Sequence, residues 1–273
     1  MRRVILATAT VVCLLANPAK AQLGTLIDIC GSTDASPREI VNFCQRAIAS
    51  GQLDSRAQAQ VRANLGVGWF ELGEYNNAVI EYDKALAEAP DLLGAYLNRA
   101  RALERLGRLR DAAADYDTVI QRDPRAADAY LGRGAMLLAN GDPGRSLDDF
   151  SNAIRLQPDW LSPHFNRGMA HFQLGMWREA ERDFGTVIQR NPSDAAAFLN
   201  RARARARSGD NDAGLDFDRA LEIDPEWGGG WFARGQYWES RGNREAANRD
   251  FLRAYELGYP DPWLLQRVRE ISG

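Results

Sequence analysis

Between residues 93 and 124 the apolar positions fall at helical offsets. Tyr96, Ala100 and Leu103 precede Gly107, and Ala112, Tyr116, Val119 and Ile120 follow it. Steps of three and four place each group on one face of an α-helix. Gly107 supplies the backbone freedom of a tight turn, and Pro124 cannot continue the helix before it. The segment is therefore predicted as a helix–turn–helix unit, and the unit recurs. The glycines Gly73, Gly107, Gly141, Gly175, Gly209 and Gly242 are spaced 34, 34, 34, 34 and 33 residues apart, and Pro90, Pro124, Pro158, Pro192 and Pro225 keep the same interval. Two short helices cannot bury their apolar faces alone, so successive units must stack. At the ends, Ile40, Phe43, Cys44, Ala47 and Ile48 predict an amphipathic helix over 37–50. Trp263, Leu264, Leu265, Val268 and Ile271 predict a closing helix with Arg267, Arg269 and Glu270 toward water.

A repeated 34-residue helix pair resembles the tetratricopeptide repeat family. The fourth unit carries the pattern well: His164 at place 4, Gly168 at place 8, Gly175 at the turn, Ala180 and Phe184 in the second helix, Pro192 at the end. Small residues recur at place 8 (Gly66, Ala100, Gly134, Gly168, Ala202, Gly235) and at place 20 (Ala78, Ala112, Ser146, Ala180, Ala213, Ala247), where helices pack closely. The resemblance implies an all-α, right-handed solenoid of six repeats, 59–92, 93–126, 127–160, 161–194, 195–227 and 228–261, the fifth one residue short after Gly209. An N-terminal segment and cap over 22–58 and a C-terminal cap over 262–273 complete the expected organisation, since exposed array ends need covering.

In this family places 2, 5, 9, 12 and 13 of the first helix line a concave groove. Here they include Phe70, Leu97, Leu131, Leu138, Phe165, Met169, Phe172, Leu199 and Phe232. An apolar stripe of this extent is expected to take a peptide or helix of another protein; the alternatives are closure of the array over it, or filling by a second copy or by the N-terminal segment. Two arginine pairs, Arg101 with Arg105 and Arg203 with Arg207, face the groove by the same alignment. Each pair shares a helical face and suits a carboxylate on a partner. Asn64, Asn98, Asn166 and Asn200 at place 6 are placed to bond a bound backbone or a neighbouring helix. Relatives that clamp a chaperone's terminal carboxylates use groove lysines, which this groove lacks, so that activity is not carried over.

Composition narrows the function. Apolar residues make up 45% and charged residues 26% of the 273-residue chain, ordinary for a folded protein. There are 34 basic and 37 acidic residues, for a net charge of −3. Arginine outnumbers lysine 32 to 2. A mildly acidic chain is poorly suited to neutralising phosphates, which excludes nucleic acid as the expected partner. Met1-Arg2-Arg3, the apolar run Val4–Ala16 and the ending Ala19-Lys20-Ala21 read as a secretory signal peptide over 1–21, too short for a membrane span. Without it the charge falls to −6 (31 basic against 37 acidic), and Cys30 and Cys44 remain as an even pair in an oxidising compartment. A disulfide is expected, tying an irregular segment around Cys30 onto the 37–50 cap; the alternative is a buried Cys44 with a free Cys30. The predicted location is exported and periplasmic.

The remaining constellations favour structure over chemistry. Arg99, Arg133, Arg167, Arg201 and Arg234 sit at place 7, and Asp115, Asp149, Asp183, Asp216 and Asp250 follow 15 or 16 residues later. Because acid travels with base, an Arg–Asp bridge between the two helices of each repeat is preferred to a ladder that grips an acidic partner. His164 and His171 lie seven apart, outside the i, i+4 metal spacing, and read as core or boundary residues. No nucleophile elbow, phosphate loop or metal cluster is present in the sequence. The expectation is a non-catalytic protein-binding adaptor without cofactor or metal; a self-associating scaffold of the cell envelope is the alternative.

Overall fold

The computed structural model describes residues 18–272, so most of the expected signal peptide lies outside the described residues. The described chain is all-α, with fifteen helices and no strand. It divides into two compact units, Met1–Met136 and Leu137–Gly273.

The first unit opens with α1 (Pro18–Cys30) and α2 (Pro37–Ala49). Ser36 starts α2 with a reciprocal cap: its hydroxyl accepts from the Glu39 N–H, and the Glu39 carboxylate accepts from the Ser36 N–H at 2.8 Å. The segment around Cys30 was expected to be irregular and is instead the last turn of α1. The reason is legible in its spacing, since Leu23, Leu26, Ile27 and Cys30 form an i, i+3, i+4, i+7 face that packs on Ile40, Val41 and Cys44. Cys30 and Cys44 are both fully buried there, with Sγ atoms 2.13 Å apart. Beyond them run α3 (Ser55–Glu71), α4 (Tyr75–Glu88), α5 (Leu93–Arg105), α6 (Leu109–Arg122) and the start of α7 (Ala127–Ala139). Helix α3 begins four residues before the expected repeat start at 59, because the Asp54 carboxylate caps the Ala57 N–H at 2.8 Å.

The second unit holds α8 (Pro143–Leu156), α9 (Leu161–Gln173), α10 (Trp177–Arg190), α11 (Ala195–Ser208), α12 (Ala213–Ile223), α13 (Gly228–Ser240), α14 (Arg244–Glu256) and α15 (Pro262–Ser272). The turn glycines do what their spacing implied. Gly175 takes φ +74°, and the next N–H, of Met176, donates back to the His171 carbonyl at 2.9 Å, closing α9. The missing residue after Gly209 shortens the following helix: α12 starts four residues after the glycine, whereas α10 starts two after Gly175.

The second helix of each pair buries a large ring. Tyr82, Tyr116, Phe150, Phe184, Phe217 and Phe251 are each at most 1% exposed. The small residues of the preceding helices make room for them: a Cβ added at Gly235 would stand 2.6 Å from Phe251 Cε1, and one at Gly66 would stand 2.5 Å from Tyr82 Cε1. Gly235→Ala is therefore expected to destabilise by about 1–3 kcal/mol from overpacking, against a helix-propensity gain of about 1 kcal/mol. Urea denaturation checks the sign; a stabilised variant contradicts close packing at this place.

Candidate binding surface

The place-7 arginines are structural rivets. Arg99 donates from Nε and Nη2 to the two oxygens of Asp115 at 2.8 and 2.6 Å. Arg167 holds Asp183 in the same fork at 3.0 and 2.7 Å, Arg201 holds Asp216 at 2.8 and 2.7 Å, and Arg234 holds Asp250 at 2.8 Å twice. The acids are buried and the arginines mostly covered, the setting in which a bidentate pair is strong. The free Nη1 then reaches back to the second helix of the preceding pair: Arg99 to Asp83 at 2.6 Å, Arg133 to Asp117 at 2.5 Å, Arg234 to Asp218 at 2.7 Å, and Arg167 to the Ser151 hydroxyl at 3.1 Å. Arg99, Arg167 and Arg234 each stitch three helices in this way. The second partner was missed in the sequence, although Asp83, Asp117 and Asp218 recur at near-repeat spacing. Where the first repeat lacks the pair, Arg62 bridges Glu81 and Glu88 at 2.9 and 3.0 Å.

Both histidines converge on one rivet. His171 Nδ1 lies 3.0 Å from Asp183 Oδ2, within hydrogen-bond reach, and His164 Nδ1 lies 3.6 Å from Oδ1, too far for one. Residues seven apart share a helical face, which brings both to the same carboxylate. Burial by itself raises Asp183, but the nearby His164 and the Arg167 hydrogen bonds, with the charges of Arg167 and His171, outweigh it and hold the carboxyl below its ordinary value. No group of His, Cys, Asp or Glu side chains among the described residues has metal-binding geometry.

The expected groove residues separate into two kinds. Leu97 and Phe232 at 8% exposed and Leu199 at 5% are buried, which corrects their assignment as contact residues. Phe232 is enclosed by the rings of Phe251, Tyr259 and Trp263 within 5.9 Å, and Leu199 belongs to the core around Phe198 and Phe217. The others keep surface. In the first unit Phe70 and Leu131 are half-buried, with Phe70 edge-on to Tyr75 at 5.3 Å. Arg101 lies 3.6 Å from Asp128, and Arg105 sits over the Tyr75 ring at 6.0 Å. Beside them burial pushes the Glu104 carboxyl up, opposed by the charges of Arg101 and Arg105.

In the second unit, α9 presents Phe165, Met169 and Phe172 as a half-buried stripe at i, i+4 and i+7, resting on Ala180, Phe184 and Ala204. Helix α11 touches α9 and places Arg203 and Arg207 beside that stripe, both exposed, with Arg203 over the Phe172 ring at 5.3 Å. Of the place-6 asparagines, Asn166 and Asn200 donate to carbonyls of their own helices, Ser162 and Ala196, at 2.9 Å each. Each therefore uses one of its two amide N–H donors within its own helix.

The sequence model of the tetratricopeptide repeat matches residues 97–159 and 165–227. The chain is similar in structure to a tetratricopeptide repeat protein from Parabacteroides merdae, at 20% identity and a TM-score of 0.67 over 92% of this chain and 97% of that one. It is also similar to YrrB, described as a TPR protein with an unusual peptide-binding site (24% identity, TM-score 0.58, 69% of this chain and 97% of that one). A third similar structure is PilW, a widely conserved type IV pilus biogenesis factor (20%, TM-score 0.68, 77% and 97%). No curated protein matches the sequence.

Proposed function

We propose that this chain, which belongs to the tetratricopeptide repeat family, is a non-catalytic adaptor that binds a peptide or helix of another protein. One observation carries the reading: the half-buried Phe165–Met169–Phe172 stripe of α9 meets Arg203 of α11, with Arg207 one turn further along that helix. An apolar strip flanked by cations supplies affinity from burial and orientation from charge. The peptide-binding site named for YrrB, a protein of the same fold, agrees with it. The repeat bounds expected above, 59–261 in six units, remain part of this reading.

Self-association is the second reading, favoured by Tyr255, Trp263 and Leu265, which stand 44–47% exposed toward the C-terminal end. Sedimentation over about a hundredfold range of concentration separates the two, because only an associating species gains mass with concentration. A constant monomer mass is expected. A mass that rises, and returns to monomer in Leu265→Arg, assigns that C-terminal surface to self-assembly.

Export to an oxidising compartment completes the proposal. No helix among the described residues is long and apolar enough to cross a membrane. Cys30 and Cys44 stand at bonding distance, and a pilus biogenesis factor shares the fold. The bridge would close a loop of 15 residues and contribute about 3 kcal/mol in the chain-entropy model. Reductant is expected to lower the melting temperature of the native protein but not of Cys30→Ala/Cys44→Ala. Two titratable thiols in the untreated protein contradict the assignment.

A further inference from the structure

The two arginine pairs occupy the same repeat places, 9 and 13, but their surroundings differ. Arg101 has acids on both sides, Asp128 on the next first helix and Glu104 on its own. The equivalent places beside Arg203 hold Gly229 and Ala206. Other acids near α11 are committed elsewhere: Glu181, Asp210 and Asp216 to Arg205 at 2.8, 3.6 and 3.0 Å. Among the described residues, neither Arg203 nor Arg207 has an ion-pair partner. Arg203 is exposed as a whole residue, yet its guanidinium is crowded where it lies over the Phe172 ring at 5.3 Å. That crowding and the like charge of Arg207 hold it below its ordinary proton affinity.

We infer that Arg203 and Arg207, with the Phe172 ring, form a binding site for an acidic side chain, Asp or Glu, that neighbours a bulky apolar residue in the bound segment. The inference rests on the adaptor reading and names the chemistry of its partner. Two guanidinium groups one turn apart offer a carboxylate several charge-assisted donors. A side-chain acid fits better than a chain terminus. Capture of a terminus in a backbone nest needs free N–H donors, which α11 does not offer in mid-helix, and the groove lysines that clamp a terminus in relatives are absent here. The free protein holds two like charges together with no acid between them, a cost that ligand binding relieves.

The test titrates the labelled full chain with three probes, following the indole N–H of Trp177, whose ring packs 4.9 Å from Phe172. The probes are end-blocked Gly-Phe-Asp-Phe-Gly, its Asn counterpart, and the Asn peptide with a free C-terminus. The blocked Asp peptide is expected to bind about tenfold more tightly than the blocked Asn peptide. The preference disappears in Arg203→Met and Arg207→Met and survives Arg219→Met, the same charge change on α12. Equal binding of the two blocked peptides, absence of saturable binding, or a preference that survives Arg203→Met overturns the site. Tightest binding by the free-terminus peptide overturns the side-chain assignment. Independently of any probe, Arg207→Glu is expected to raise the melting temperature, since it gives Arg203 an i, i+4 acid; a lowered one contradicts the unrelieved repulsion. Failure of these tests alongside a partner captured at Phe172 sinks only the acid site, whereas loss of both sinks the adaptor reading.

Discussion

Asp183→Ala is expected to cost the C-terminal unit about 3–5 kcal/mol. The side chain is only 6% exposed and accepts from Arg167 Nε at 3.0 Å, Arg167 Nη2 at 2.7 Å and His171 at 3.0 Å. Removing it strands the Arg167 guanidinium and the His171 imidazole around a small void between α9 and α10. Because Arg167 retains some water, the lower end of that range is the better expectation. Urea denaturation measures it, and a loss below about 1 kcal/mol would place this rivet with ordinary surface pairs. The same carboxylate sets an acid limit. Its folded value is depressed, so its contribution is complete above the ordinary aspartate range, about pH 4, and is lost as pH falls from there through the lower folded value. Asp183→Asn is expected to flatten that part of the acid slope.

Phe184→Ala is the second large effect, at about 3–5 kcal/mol. The ring is fully buried, meets Phe165 edge-on at 5.5 Å and fills the space left by Gly168. The neighbouring Arg167–Asp183 fork fixes the spacing of the two helices, so the cavity cannot close fully. Phe165, Met169 and Phe172 rest on this ring, and loss of the floor is expected to weaken any ligand of the stripe as well as the fold. Phe184→Leu keeps most of the volume and is expected to cost roughly half as much. Equal costs for the two substitutions would show that the site collapses freely.

What the sequence disclosed was what repeats. The 34-residue interval located the turns, and Gly73, Gly107, Gly141, Gly175, Gly209 and Gly242 all adopt positive φ. The travel of Asp115 with Arg99, and of Asp183 with Arg167, disclosed the rivets, because a buried acid needs its partner in each unit where it recurs. Depth was not legible. Places 5 of the fifth and sixth repeats, Leu199 and Phe232, look like those that stay open, and only the packing of Tyr259 and Trp263 over Phe232 tells them apart. The difference between the two arginine pairs is legible at the neighbouring places, where Asp128 and Glu104 give way to Gly229 and Ala206. The helix at Pro18–Cys30 is written in the i, i+3, i+4, i+7 face of Leu23, Leu26, Ile27 and Cys30, although its first turn overlaps the end of the signal-like segment at Ala21.

The central claim is that the Phe172 face binds another protein. A photo-crosslinking residue at Phe172, matched by one at the exposed Asp148 of α8, tests it in the intact source cell, with adducts identified by mass spectrometry. The account predicts a covalent adduct with a different protein at Phe172 and none at Asp148. Adducts only with the chain itself, equal adducts at both positions, or none at Phe172 would contradict it.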